Sequence, residues 1–214
     1  MIILFDLDST LVSVEWCDIL AEWKWVGTQV AHITQQTMDG EMDFDTAFPK
    51  KLEMIAPSLD ELDRLWQHLT NYIITDWINI IESFHNKWYA VGILSQWYTR
   101  SSLSVAKILN IPSDRIFAIN FEHTENGKFK SLAMSQDLMY HDGKKKTIDM
   151  LRNKYKEKKI VFVGDSVGDM EAGNSADLFI WYTGVIARTK VIAQCTTIAT
   201  TPSDVISLID TFIS

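Results

Sequence analysis

The stretch Ile2-Ile3-Leu4-Phe5-Asp6-Leu7-Asp8-Ser9-Thr10 constrains this chain more than any other. Four apolar residues without alternation describe a strand covered on both faces, as in a parallel sheet sandwiched between helices. Ligands of such sheets collect beyond the carboxyl ends of the strands, and there the run turns acidic. Residues two apart on an extended chain point the same way, so Asp6 and Asp8 converge on one site if the extension persists through Asp8. Two carboxylates held that close repel, and one pKa rises unless a cation shares the site. A hard cation is implied, and magnesium, which prefers oxygen ligands, suits it.

A second stretch repeats the pattern. Ile160-Val161-Phe162-Val163 is another short, largely β-branched apolar run, and it ends in Gly164-Asp165-Ser166-Val167-Gly168-Asp169. The glycines around Asp165 let the backbone turn sharply and approach a ligand closely. Between the two, Ser95 follows the apolar run Ala90-Val91-Gly92-Ile93-Leu94, and Lys144 opens a helical segment with Ile148 and Leu151 at turn spacing behind it.

These four marks, in this order and spanning nearly the whole chain, resemble the haloacid dehalogenase superfamily of phosphohydrolases. The resemblance implies a magnesium-dependent phosphomonoesterase with an aspartyl-phosphate intermediate. Asp6 would be the nucleophile, a role open to carboxylates. Asp8 would act as general acid and then base, and would also offer its backbone carbonyl to the metal. Asp165 would complete the metal shell, and Asp169 would stand beside it, holding waters or Lys144. Lys144 and Ser95 would neutralise the phosphate, and Thr10 would steady the loop. Lys144, Lys145 and Lys146 stand in a row, and Lys144 is preferred because Ile148 and Leu151 match the buried face behind it; Lys145 is the second candidate.

Composition agrees with a globular enzyme. The 214 residues, 47% hydrophobic, suffice for one well-buried domain with a sizeable insertion. A net charge of −8 argues against nucleic acid as the main partner. The two cysteines, Cys17 and Cys195, lack metal or redox spacing and read as reduced thiols. The five histidines, His123 and His141 among them, show no ligand spacing and read as structural or surface groups. No 18-residue apolar run occurs and no basic segment precedes the first strand, so a cytoplasmic protein without a membrane segment is expected, as monomer or homodimer.

The pattern along the chain predicts a doubly wound, three-layer α/β/α parallel sheet with a helical cap inserted after the first strand. From Glu15 a stripe of Trp16, Ile19, Leu20, Trp23 and Val26 indicates a helix. Further helices are expected over 30–38, 44–55 and 58–72, giving a cap over 14–75 and a core over 1–13 and 76–214. Asp76 opens the return helix, with Trp77, Ile81, Phe84 and Trp88 on one face. Ser101 or Ser102 caps the next helix, Ile116 to Ile119 is a strand, and Asn126-Gly127 marks a hairpin. A helix over 143–155, a strand to Asp165, a short helix, a strand Leu178 to Trp181 and a helix from Ser203 complete the reading.

The cap permits a closer comparison. Asp8-Ser9-Thr10-Leu11-Val12 with Glu15, then Met38-Asp39-Gly40 and Phe44, resemble phosphoserine phosphatases. That family reads the substrate ammonium with an acid at the place of Glu15 and clamps its carboxylate with an arginine at the place of Lys51. Lysine keeps the charge but lacks the bidentate fork. Gln96 and Trp97 replace two glycines and are expected at the mouth of the phosphate pocket. The substrate-binding set is thus Glu15, Met38, Phe44, Lys51, Gln96 and Trp97, and the metal set Asp6, Asp8, Asp165 and Asp169. With Trp16 and Trp25 these aromatics also suggest an amine pocket for phosphocholine or phosphoethanolamine in place of phosphoserine. The same motifs are compatible with a phosphotransferase to an alcohol acceptor, and the fold alone would also suit a non-catalytic binding protein.

Overall fold

A computed structural model describes residues 1–132, 136–187 and 195–214, apart from the side chain of Met38. Its centre is β1 (Ile2–Phe5), whose four residues are all buried, as an unalternating apolar run requires. On one side β1 pairs with β2 (Ala90–Tyr98), which pairs with β3 (Ile116–Ile119). On the other it pairs with β6 (Ile160–Gly164), then β7 (Leu178–Tyr182) and β8 (Ile198–Ala199). All five pairings are parallel, and the order β3-β2-β1-β6-β7-β8 reverses direction at β1. That reversal is where doubly wound sheets open a crevice beyond their carboxyl ends.

Register fixes the site. Phe5 lies opposite both Ile93 and Val163, so the residues just past the three central strands emerge at one level. The Asp6 N–H donates to the Val163 carbonyl at 2.9 Å, holding the chain extended for one more step.

Between β1 and α5 (Asp76–Asn86) stand four helices, α1 (Trp16–Trp23), α2 (Gly27–Met38), α3 (Phe44–Ile55) and α4 (Leu59–Leu69), the last continued by a 3-10 turn over Thr70–Tyr72. Their ends are set locally. Asp43 accepts from the Thr46 N–H at 2.8 Å to cap α3, and Ser58 with Glu61 forms a reciprocal capping box on α4. The two strands of chain leading into and out of this insertion are tied by an antiparallel bridge between Val12 and Ile73, with Ile74 N–H donating to Leu11 at 3.1 Å. The insertion does not build a separate core, because its buried Leu20, Val30, Leu52 and Leu65 belong to the same hydrophobic cluster as the sheet.

The remaining elements are α6 (Thr99–Ile108), the hairpin β4 (Phe121–His123) and β5 (Phe129–Leu132), α7 (Gly143–Lys154), α8 (Val167–Gly173) and α9 (Pro202–Ile213). Helix α9 starts one residue earlier than the pattern indicates, with Pro202 in its first turn and Thr201 as the cap.

Three expectations fail for identifiable reasons. Strand β2 runs four residues beyond its apolar stretch, because Trp97 and Tyr98 are buried and keep it in the sheet. Helix α6 therefore begins at Thr99, and Ser101 and Ser102 are buried within it, Ser102 donating to the Tyr98 carbonyl at 3.2 Å instead of capping. Trp88 sits past the end of α5 in a left-handed conformation, φ 59°, and is 92% exposed, away from the face formed by Trp77, Ile81 and Phe84. The two-residue strand β8 carries no sequence signal of its own length. Among the described residues no helix is long and apolar enough to cross a membrane.

Candidate active site

The three central strand ends deliver their polar residues to one point. Asp6 follows β1, Ser95 lies in β2, Asp165 follows β6, and all three are buried. Carboxylate oxygens of Asp6, Asp165 and Asp169 lie within 4.8 Å of one another. The Lys144 ammonium reaches into this cluster from the first turn of α7, 2.8 Å from Asp6 Oδ1 and 2.6 Å from Asp169 Oδ1. A Cβ at Gly143 would collide with the backbone of Asp137 and Leu138, so glycine there lets α7 start close enough for the lysine to reach.

Asp169 is held from every side. Its Oδ2 accepts from the Ser166 hydroxyl at 2.7 Å and from the Ser166 and Asp165 N–H groups at 3.0 and 3.2 Å, while Ser166 Oγ accepts from the Asp169 N–H in return. A Cβ on Gly164 would stand 2.5 Å from Asp169 Cγ, which no real side chain tolerates. With one oxygen capping α8 and the other on Lys144, Asp169 is placed as a support for the lysine.

Burial dominates the electrostatics. It raises the Asp6 carboxyl to about 7, with Asp169 adding to the rise and Lys144 opposing it. Asp8 is pushed well above the usual carboxylate range, first by burial and then by Glu15, Asp6 and Asp165. Burial acts to lower the Lys144 pKa, yet Asp169 and Asp6 outweigh it and raise the value, so the ammonium is charged at neutral pH. Four carboxyl groups thus face one ammonium. Asp8 Oδ1 is also buried without a hydrogen-bond partner. An orphaned buried oxygen beside clustered acids is the donor set a hard divalent cation fits.

A cavity of about 300 Å³ connects this cluster to the helical insertion. Asp6, Asp8, Ser95 and Lys144 line its floor, and Glu15, Phe44, Lys51 and Gln96 line its other walls. Glu15 Oε1 accepts from the Ser9 hydroxyl at 2.7 Å. Ser9, at φ 50°, makes the turn that follows Asp8. Lys51 is only 6% exposed, and Gln96 Nε2 donates to the Tyr140 carbonyl at 2.9 Å. Thr10 is buried behind the loop, its carbonyl accepting from Trp77 Nε1 at 2.7 Å.

Other expectations are corrected. Trp97 is fully buried and packs on Trp16 with ring centroids 3.6 Å apart, so its indole is taken up by that contact and does not line the cavity that Ser95 and Gln96 line. Trp25, in a left-handed conformation after α1, is 94% exposed and lines no part of the cavity. Lys145 points to solvent and pairs with Asp149 at 2.6 Å, leaving Lys144 as the lysine of the site. Met38 belongs to α2, but its side chain lies outside the described residues.

The haloacid dehalogenase-like hydrolase family matches residues 1–177. The chain belongs to this family. It is 33% identical to the phosphoserine phosphatase of Bos taurus over 187 residues, 87% of this chain and 83% of that one. The human phosphoserine phosphatase matches over the same shares at 30% identity. Among solved structures, a phosphoserine phosphohydrolase-like protein from Francisella tularensis superposes with a TM-score of 0.85 at 25% identity, covering 97% of this chain and 99% of that one. This haloacid dehalogenase-like hydrolase therefore falls in the phosphoserine phosphatase-like branch and is a phosphoric monoester hydrolase.

Two wall residues of the hydrolase carried no sequence signal. His141 Nε2 lies 3.0 Å from Glu171 Oε2, and both line the cavity. The His141 N–H donates to Asp45 at 2.6 Å, joining the start of α3 to the loop that precedes Lys144. Only the closeness of His141 to Lys144 in sequence hints at this, since Asp45 and Glu171 lie far off along the chain.

Proposed function

We propose that this hydrolase releases inorganic phosphate from a small phosphomonoester carrying both an ammonium and a carboxylate, O-phosphoserine being the type. The observation that carries the reading is one cavity with Asp6, Ser95 and Lys144 on its floor, and a buried cation, Lys51, and an acid, Glu15, on its other walls. Lys51 would take the substrate carboxylate and Glu15 its ammonium. The helices of 14–75 would act as a cap over the core.

Asp6 attacks phosphorus as a carboxylate, the phosphorus–ester oxygen bond breaks, and Asp8 gives its proton to the departing alkoxide. Deprotonated Asp8 then takes a proton from water, whose oxygen attacks the aspartyl phosphate and frees Asp6 and phosphate. Lys144 and the Ser95 hydroxyl neutralise the phosphoryl oxygens throughout, and Asp169 holds Lys144 in place. Magnesium held by Asp6, Asp165 and the Asp8 backbone carbonyl would supply further charge neutralisation at those oxygens.

The test is phosphate release, with magnesium, from O-phosphoserine, phosphoethanolamine, phosphocholine and a simple alkyl phosphate, each with and without added alcohol acceptors. Phosphoserine should give the highest kcat/KM, with phosphate freed and not passed to the acceptor. No release from any member would overturn the enzymatic reading, and phosphate retained on an acceptor would replace hydrolysis by transfer. Trp25 and Trp97 do not line the cavity, so aromatic contact with the methyl groups of phosphocholine would fall to Trp16, Phe44 and Phe48, and the phosphocholine arm of the panel tests it.

A further inference from the structure

Lys51 is a buried cation with no carboxylate within salt-bridge distance among the described residues. An unbonded lysine of four methylenes would sample several rotamers and lose affinity for whatever it meets. Here it is not unbonded. Its Nζ donates to Thr34 Oγ1 at 3.3 Å, and Thr34 Oγ1 donates to Asp18 Oδ1 at 3.2 Å. Each contact comes from a different helix: Asp18 from α1, Thr34 from α2 and Lys51 from α3.

A hydroxyl has one proton. With that proton committed to Asp18, the lone pairs of Thr34 are left for Lys51, so the direction of both bonds is fixed. Asp18 is unable to serve as a direct ion partner at this separation, yet its charge is felt: burial raises the Asp18 carboxyl, and the Lys51 ammonium is the chief influence drawing it back down. Thr34 is itself buried, 5% exposed, and Thr37, one turn further along α2, lines the cavity itself.

We infer that Thr34, its hydroxyl oriented by Asp18, is a positioning residue that aims the Lys51 ammonium into the cavity, leaving two of its three protons for the carboxylate of the substrate. This rests on the assignment of Lys51 to the substrate carboxylate. In a site that uses lysine where an arginine fork would orient itself, the relay supplies the orientation that the side chain lacks. Thr34 acts through Lys51 and touches neither phosphate nor metal, so its effect is confined to substrates that Lys51 can recognise.

The experiment compares O-phosphoserine with phosphoethanolamine, which lacks the carboxylate, on the magnesium-loaded enzyme. Thr34→Val preserves shape and removes the hydroxyl; it should raise KM for phosphoserine about tenfold, the scale of one hydrogen bond, with kcat unchanged and phosphoethanolamine kinetics within about twofold. Thr34→Ser, which restores the hydroxyl, should return KM for phosphoserine to the wild-type value. Equal effects on the two substrates, or none on either, would overturn the relay. Lys51→Met run beside them keeps the two claims apart. If that variant is selective for phosphoserine while Thr34→Val is not, the relay fails and the carboxylate assignment stands. If Lys51→Met affects both substrates equally, the assignment fails and the relay with it.

Discussion

The two ends of the cavity are built differently. At the acidic end, Asp169 alone takes part in five hydrogen bonds or ion pairs, and Lys144 is seated between two carboxylates at 2.8 and 2.6 Å. Lys144 stands in the first turn of α7 and Asp169 in the first turn of α8, and both converge on the acids that follow β1 and β6, so moving one group disturbs several elements at once. At the insertion end, Lys51 has a single hydrogen bond at 3.3 Å among the described residues, made to a side chain and not to the backbone. The floor is architecture and the walls are side chains. Chemistry common to a family belongs on the first, and substrate choice, which must be able to change, belongs on the second.

That contrast is broken most severely at Asp6. Asp6→Asn should lower turnover by roughly 10⁴-fold or more if Asp6 is the nucleophile we propose, since its loss removes the pathway itself. Thermal stability should hold or rise, because one acid leaves a buried cluster of like charges while Lys144 keeps Asp169. Retained turnover in rate assays would place the chemistry elsewhere, and loss of the native circular dichroism spectrum would overturn the stability expectation.

Gly164→Ala comes next. Its added Cβ would lie 2.5 Å from Asp169 Cγ, and Asp169 is locked by its cap and by Lys144, so strand or helix must shift. Overpacking of this kind costs about 1–3 kcal/mol. Because the shift displaces Lys144, kcat should fall with every substrate alike, in contrast to any change at Lys51. A variant with wild-type melting temperature and kcat would mean that the floor is softer than its contacts imply.

The same contrast governs what could be read from sequence. Asp6, Asp8, Asp165 and Lys144 were legible because each sits just past an apolar run or at a helix start, and the pairing of two acidic strand ends implied one site. Lys144 is set apart from Lys145 by the buried face behind it; the structure places Lys144 between Asp6 and Asp169 and pairs Lys145 with Asp149 at the surface. Trp97 was misplaced because nothing in Gln96-Trp97-Tyr98 reveals that β2 continues; the burial that keeps it in the sheet comes from Trp16 on the insertion. The Asp18, Thr34 and Lys51 relay left no trace, since its members are 16 and 17 residues apart and meet only when three helices pack. Local spacing exposes what strands and helix ends present, and is blind to what helix packing assembles.

Lys51→Arg sharpens the comparison on the softer side. An arginine fork gives two parallel bonds to a carboxylate and is pre-organised without help from Thr34. The expected result is a KM for phosphoserine lowered about threefold with kcat unchanged, a gain of the order of one weak hydrogen bond. In that background Thr34→Val should lose its effect. A raised KM would show that the walls are shaped for the ammonium of lysine and do not admit the guanidinium fork.

The smallest effect belongs to a residue on neither surface. Trp25 follows α1 at φ 62°, its N–H donating to the Glu22 carbonyl at 3.1 Å, with 94% of its surface exposed. A left-handed conformation costs a non-glycine residue about 1–2 kcal/mol, and the indole recovers little when it packs on nothing. Glycine adopts that conformation freely but loses more chain entropy on folding, about 0.5–1 kcal/mol. The difference favours Trp25→Gly slightly, so its melting temperature should rise by about 1–3 °C in a calorimetric scan. Kinetic constants for phosphoserine and phosphoethanolamine should not move. A fall in kcat/KM confined to amine substrates would bring Trp25 to the cavity wall, which requires α1 to end differently when substrate is bound.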